Sequence, residues 1–172
     1  MKTKFIVFAI ATMGILLTGC NSDDDNNCPP DYAGELLPAE ETLVGSWYLT
    51  AAVAGDEIDL TDDDTENPST DLFEQVSACE KDRYYTFDDD RVMKFLMGTL
   101  ATDCSNESES ISSWKLEGNK LSFINTCYEF EVNLTFAGDD SAFSVEFEEV
   151  ITDVEGMNIS TTVTYIYTKE IR

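Results

Sequence analysis

From about Leu43 to its C-terminus the chain keeps placing apolar and aromatic side chains at every second position. A period of two puts successive side chains on opposite faces of an extended ribbon, so each stretch reads as a half-buried β-strand. Trp47 to Val53 opens the series, and Arg83 to Phe87 and Val92 to Met97 flank Asp88-Asp89-Asp90, a tight hairpin by composition. Trp114 and Leu116 alternate with Ser113 and Lys115, and Glu117-Gly118-Asn119 then turns the chain into Leu121 and Phe123. Phe130, Val132, Leu134 and Phe136 form the next ribbon, which turns at Gly138-Asp139-Asp140 into Phe143, Val145 and Phe147. A last turn near Glu155-Gly156 leads to Ile159, Val163, Tyr165 and Tyr167. Asp71 to Ala78 has room for a turn or two of helix before the second long strand, and Thr61 to Thr70 reads as a loop.

The pattern predicts an all-β fold of about eight antiparallel strands in an up-and-down order, one face greasy and the other polar. No amphipathic helix is long enough to cover the greasy face. A meander of this kind buries it most readily by closing on itself, which also removes exposed edges. A two-sheet sandwich is the competing architecture. A membrane-spanning barrel fits less well, because its apolar face must point outward.

The N-terminus has a different logic. Lys2 and Lys4 precede the apolar run Phe5 to Leu17, and Thr18-Gly19 supplies small residues ahead of Cys20. The run is shorter than the roughly 20 residues that span a bilayer. Leu17-Thr18-Gly19-Cys20 resembles the lipobox of bacterial lipoproteins. The resemblance implies a signal peptide over residues 1–19, cleavage before Cys20, and acyl chains on its thiol. Residues 20–40, beginning Asn-Ser-Asp-Asp-Asp-Asn-Asn after Cys20, read as an acidic, flexible tether. The acidic triplet also resembles a surface-export signal of one group of Gram-negative lipoproteins. Residues 41–172 then form the folded domain. These features place the chain at an outer membrane through its lipid, with the cell surface as one destination.

Charge and composition remove several function classes. The formal net charge is -25. Such a surface repels nucleic-acid phosphates and anionic headgroups, leaving acyl chains as the route to a membrane. The chain contains no histidine, which excludes Ser-His-Asp and Cys-His catalysis and imidazole metal sites. Carboxylate-only hydrolysis survives as the weakest alternative, and nothing in the sequence calls for a cofactor or a metal. Besides Cys20 there are four cysteines, Cys28, Cys79, Cys104 and Cys127. In an exported chain they suggest two disulfides, with three connectivities open. Zinc is the competing reading, although no C-x-x-C pair is present. Cys79–Cys104 is favoured because the two flank a predicted hairpin, which leaves Cys28–Cys127 to tie down the N-terminal segment.

Gly45-Ser46-Trp47 at the start of the first strand resembles the Gly-x-Trp signature of the lipocalin superfamily. Leu43 to Thr50 is similar to the opening of bacterial lipocalin-like lipoprotein domains. Cys79-Glu80-Lys81-Asp82, Tyr85-Thr86-Phe87, Cys104, Trp114-Lys115-Leu116 with Leu121, and Tyr165 to Lys169 extend the likeness over residues 41 to 172. The resemblance implies an eight-stranded barrel with Trp47 packed across its closed end. It also implies an arginine near the last strand covering that ring, for which Arg172 is the candidate. It implies a calyx for a small hydrophobic molecule, held without catalysis.

Alternation nominates the residues that face such a calyx: Tyr85, Phe87, Met93, Phe95, Trp114, Phe123, Phe130, Phe143 and Phe147. The same rings could instead fill the barrel as plain core. Glu149 falls on the inner face between Phe147 and Ile151 and would orient a ligand's polar end, unless a bulge or the barrel rim breaks the alternation there, which is the simpler expectation. The acidic run Asp62-Asp63-Asp64 lacks the spaced carboxylates and glycine of a calcium loop. The leading expectation is therefore a lipid-anchored binding module. The alternative is an envelope lipoprotein with a filled barrel that presents its loops to a protein partner.

Overall fold

The computed structural model describes residues 28–170. They form ten strands: β1 Gly45–Ile58, β2 Ser69–Asp71, β3 Arg83–Phe87, β4 Val92–Met97, β5 Ser108–Glu117, β6 Lys120–Asn125, β7 Tyr128–Asn133, β8 Thr135–Phe136, β9 Ala142–Thr152 and β10 Asn158–Lys169. Two short helices, α1 Leu72–Gln75 and α2 Ala78–Lys81, lie between β2 and β3. Each begins at a side-chain cap: Asp71 accepts from the Glu74 amide, and Ser77 and Glu80 form a reciprocal capping box. The expected turn or two of helix is thus two separate helices, because Val76 is extended and interrupts them, and the second runs on to Lys81.

The sheet is antiparallel throughout, in the order β7-β6-β5-β4-β3-β1-β10-β9-β8, with β2 on a separate edge of β1. Its two end strands are successive parts of one ribbon. β7 pairs with β6, the chain breaks step at Leu134, and β8 pairs with β9. The Leu134 amide donates to Asn119 O at 2.8 Å while its side chain is buried. One ribbon therefore passes from one edge of the sheet to the other and brings the barrel almost to closure. This crossing corrects the expected count of eight strands to ten, since it splits β7 from β8. The other addition is β2, within the segment read as loop.

The expected inner face is the buried one. Trp47, Phe87, Trp114, Leu116, Leu121, Leu134, Phe143 and Tyr167 form one cluster around Leu43. They lie where β1 begins, where the β3–β4, β5–β6 and β8–β9 turns sit, and where β10 ends, so this is the closed end. The other end carries the β4–β5 loop, the β6–β7 turn and the β9–β10 turn. A second cluster of Ala52, Ala54, Ile58 and Val163 takes Leu72 of α1 onto the β1–β10 side of that open end.

Both favoured disulfides are present, Cys28–Cys127 and Cys79–Cys104. The first fixes the N-terminal segment to the β6–β7 turn. From there the Tyr32 amide donates to Ser113 Oγ at 3.0 Å, the Tyr32 hydroxyl donates to Glu129, and Lys115 Nζ lies 4.9 Å from the Tyr32 ring centre. These contacts lay the segment along the outside of β5–β7, where outward-facing Ser122 and Ile124 are buried. Residues 28–40, expected to be flexible, are held against the barrel. The rest of the expected tether, the signal peptide and Cys20 lie outside the described residues.

Candidate ligand-binding site

Inside the barrel is an apolar cavity of about 240 Å³ between the β3 wall, β6–β7 and β9. Phe87, Leu121, Leu134 and Phe143 line its deep side, and Tyr85 and Val145 its middle. Phe123 and Phe130, stacked at 5.3 Å, face Phe147 at the mouth. Phe130 and Phe147 are 47% and 39% exposed, whereas Phe143 is only 2% exposed, so the cavity opens along the gap where β7 and β9 do not pair. An engineered apolar cavity of about 150 Å³ admits benzene, and drug-sized pockets begin at about 300 Å³. The space suits one small apolar body. A larger groove of about 670 Å³ runs outside the barrel, but it is lined by outward residues such as Ser46, Thr86, Asp88 and Lys94.

Polar groups gather above the apolar floor. β9 and β10 pair without a register shift from Ala142 to Thr152. No bulge forms, and Glu149 stays on the inner face. Its carboxylate accepts from the Tyr165 hydroxyl at 2.9 Å. Burial, with help from this bond, pushes the Tyr165 hydroxyl up to about 12. Burial also raises Tyr85 and Tyr167, and the positive charge of Arg83 opposes the rise at both. Arg83 is two residues from Tyr85 on the same face of β3, and its Nε is buried with no acceptor among the described residues. The inner surface is thus greasy below and carries tyrosine hydroxyls, one carboxylate and one guanidinium above.

Beneath the cavity the barrel is sealed. Glu40, 2% exposed, accepts two hydrogen bonds of 2.8 Å from Arg91, one on each oxygen, and further bonds from the Leu37 and Leu116 amides at 2.7 and 3.0 Å. Arg91 also donates to the carbonyls of Gly34, Glu35 and Trp114. Burial alone would raise the Glu40 carboxyl, but Arg91 and the two amides outweigh it and hold the group at about 2. Arg91 occupies the left-handed region with φ 69°, closing the β3–β4 turn that lacks a glycine. Beside this pair, Trp47 Nε1 donates to Leu43 O at 2.7 Å, and Lys169 Nζ stands 5.1 Å from the Trp47 ring centre. A lysine, Lys169, and not an arginine stands over the tryptophan among the described residues. Arg172 lies outside the described residues.

Of the nominated residues, Tyr85, Phe87, Phe123, Phe130, Phe143 and Phe147 come together around the cavity. Trp114 is fully buried below it, edge-on to Phe87 at 5.2 Å. Met93 is core, Phe95 packs behind Tyr85 at 4.9 Å, and Glu149 stands beyond Phe147 rather than in the lining. Leu121, Val132, Leu134 and Val145 also line the space; they share the alternation of the aromatic residues beside them. Arg83 was signalled by the same alternation with Tyr85 and Phe87. The Asp59–Glu66 loop uses its acids to order itself, with Asp59 accepting from the Thr61 and Asn67 amides. Among the described residues, no cluster of three metal-ligating side chains forms.

Residues 21–170 match the family described as Domain of unknown function (DUF5004). No curated protein matches the chain significantly.

Proposed function

We propose that this chain, which belongs to the DUF5004 family, is a lipid-anchored, lipocalin-like module that binds one small hydrophobic molecule without catalysing a reaction. The observation that carries the reading is the 240 Å³ apolar cavity, enclosed by the barrel and reached through the gap between β7 and β9. Inner aromatic residues could have filled the barrel completely. That a void remains favours a binding module over a filled envelope protein. A ligand would lay its apolar body between Tyr85, Phe130 and Val145 and turn any polar group toward Tyr165 and Glu149.

Anchoring is supported by Leu17-Thr18-Gly19-Cys20 after a short apolar run and by two disulfides, which persist in oxidising compartments. The family match opens one residue after Cys20. On this reading Cys20 carries acyl chains in an outer membrane, and the domain stands in the periplasm or at the cell surface. Mass spectrometry of protein purified from its native envelope tests both parts. The expected result is an N-terminal acylated Cys20 together with a small apolar compound released on denaturation. An intact signal peptide and no extractable compound would contradict the reading.

A further inference from the structure

Arg83 begins β3 at the open end, and the chain before it is firmly held. The Cys79–Cys104 disulfide ties α2 to the β4–β5 loop. The Asp82 carboxylate accepts from the Leu100 and Ala101 amides at 2.6 and 2.8 Å, and its carbonyl from the Gly98 amide at 2.8 Å. Arg83 then pairs with Met97 of β4. The alternation that turns Tyr85 and Phe87 toward the cavity turns Arg83 inward as well. It stands one repeat nearer the mouth than Tyr85, about 7 Å along the strand. Burial raises the Tyr85, Tyr165 and Tyr167 hydroxyls, and the Arg83 charge opposes the rise at all three.

In a chain with 35 acidic residues against 10 basic ones, a cation without a carboxylate stands out. Lys81, Arg91, Lys94, Lys115 and Lys120 each pair with one, and Lys169 donates to Thr42 O. Among the described residues Arg83 enters no ion pair, and its buried Nε–H finds no acceptor. Glu80, held down by its Ser77 bonds and then by the Arg83 charge, spends its carboxylate on the α2 cap. Glu149 accepts from the Tyr165 hydroxyl instead. A buried donor left unmatched costs stability in the empty site and rewards whatever satisfies it. The planar fork of a guanidinium is matched best by an oxyanion, above all a carboxylate.

We infer that Arg83 reads the ligand's head group, and that the cavity takes a small aromatic carboxylate, its ring between Tyr85 and Phe130 and its carboxylate on the Arg83 guanidinium. The inference rests on the binding reading above and adds the ligand's charge and the residue that selects it. The cavity walls are largely aromatic and offer faces and edges to a ring. One negative charge suits one guanidinium, whereas the net charge of -25 disfavours a more highly charged ligand. The head group turns to the Arg83 side of Tyr165 and away from Glu149, a like charge.

Calorimetric titration of the protein, freed of co-purified compounds, compares three probes that share one body: 4-phenylbutanoate, 4-phenylbutan-1-ol and 4-phenylbutylamine. Wild type should bind the acid about tenfold or more tighter than the alcohol, and the amine most weakly. Arg83→Met should bring the acid down to the alcohol's affinity while the alcohol binds as it does to wild type, which also reports an intact cavity. Arg83→Lys, which keeps the charge, should retain part of the preference. Wild type that binds the alcohol or the amine as tightly as the acid would overturn the head-group assignment and leave the binding module standing; this comparison needs no variant to fold. A preference for the acid that survives in Arg83→Met would do the same. No saturable binding of any of the three would overturn the binding reading, and the assignment with it.

Discussion

Glu40 and Arg91 meet through two parallel hydrogen bonds of 2.8 Å, one to each carboxylate oxygen, in a site that excludes water. The pair joins the segment before β1 to the β3–β4 turn, and through the Leu116 amide to β5. Removing one partner strands the other as a buried charge, which costs about 3–5 kcal/mol. Glu40→Gln and Arg91→Met are each expected to lower the free energy of unfolding by that much, with a matching fall in the denaturant midpoint. Replacing both together should cost less than the two single changes added. Chemical denaturation of the four proteins checks this.

The same pair sets an acid limit. The Glu40 carboxyl sits at about 2 in the folded chain against an ordinary value of 4.5. A depressed carboxyl contributes stability that is whole above the unfolded value and is lost as pH falls through the folded one. About 3 kcal/mol should therefore disappear between pH 4.5 and pH 2. In Glu40→Gln this part of the pH dependence should be missing, as read by thermal unfolding across that window.

At the alkaline side the sign reverses. Tyr32 and Tyr165 are both pushed up to about 12, by burial first and then by their bonds to Glu129 and Glu149. A raised tyrosine favours the folded state below its unfolded value, near 10, and that contribution is lost as pH rises toward 12. Glu149→Gln should bring the Tyr165 titration down, because the carboxylate that opposes its ionisation is gone. An ultraviolet phenolate titration of variant against wild type measures the change.

Gly45 takes φ 128°, and a Cβ there would stand 3.2 Å from Lys169 Cε. Gly45→Ala should therefore lose about 1–3 kcal/mol. It should also move Lys169 off the Trp47 ring, shifting the near-ultraviolet circular dichroism of the tryptophans.

How far the sequence revealed this arrangement depends on how local each signal is. Alternation reports which face of a ribbon is buried, so the inner residues from Tyr85 to Tyr167 were legible wherever pairing stays in register. Glu149 shows the reach of that rule: no bulge interrupts the pairing, so it keeps the inner face, while its place beyond Phe147 puts it toward the rim and outside the cavity lining. Lys169 is legible on the same ground, being two residues beyond Tyr167, although the family resemblance points to an arginine. The break at Leu134 was not, because it arises from one ribbon serving two edges of the sheet. Glu40–Arg91 had no local signature either. The two residues lie 51 positions apart, and Glu40 stands in a stretch whose composition reads as solvated tether. Proline and acidic residues conceal a segment that owes its order to a disulfide and to hydrogen bonds from distant strands.

Whether the cavity takes a ligand is read directly with a hydrophobic fluorescent probe. Wild-type protein freed of co-purified compounds should bind the probe saturably, one per barrel. Val145→Phe adds bulk to the cavity wall from a buried position; it should keep the cooperative unfolding of the wild type and weaken probe binding at least tenfold. Equal binding by the two proteins, or no saturable binding by the wild type, would show that the cavity is not a ligand site.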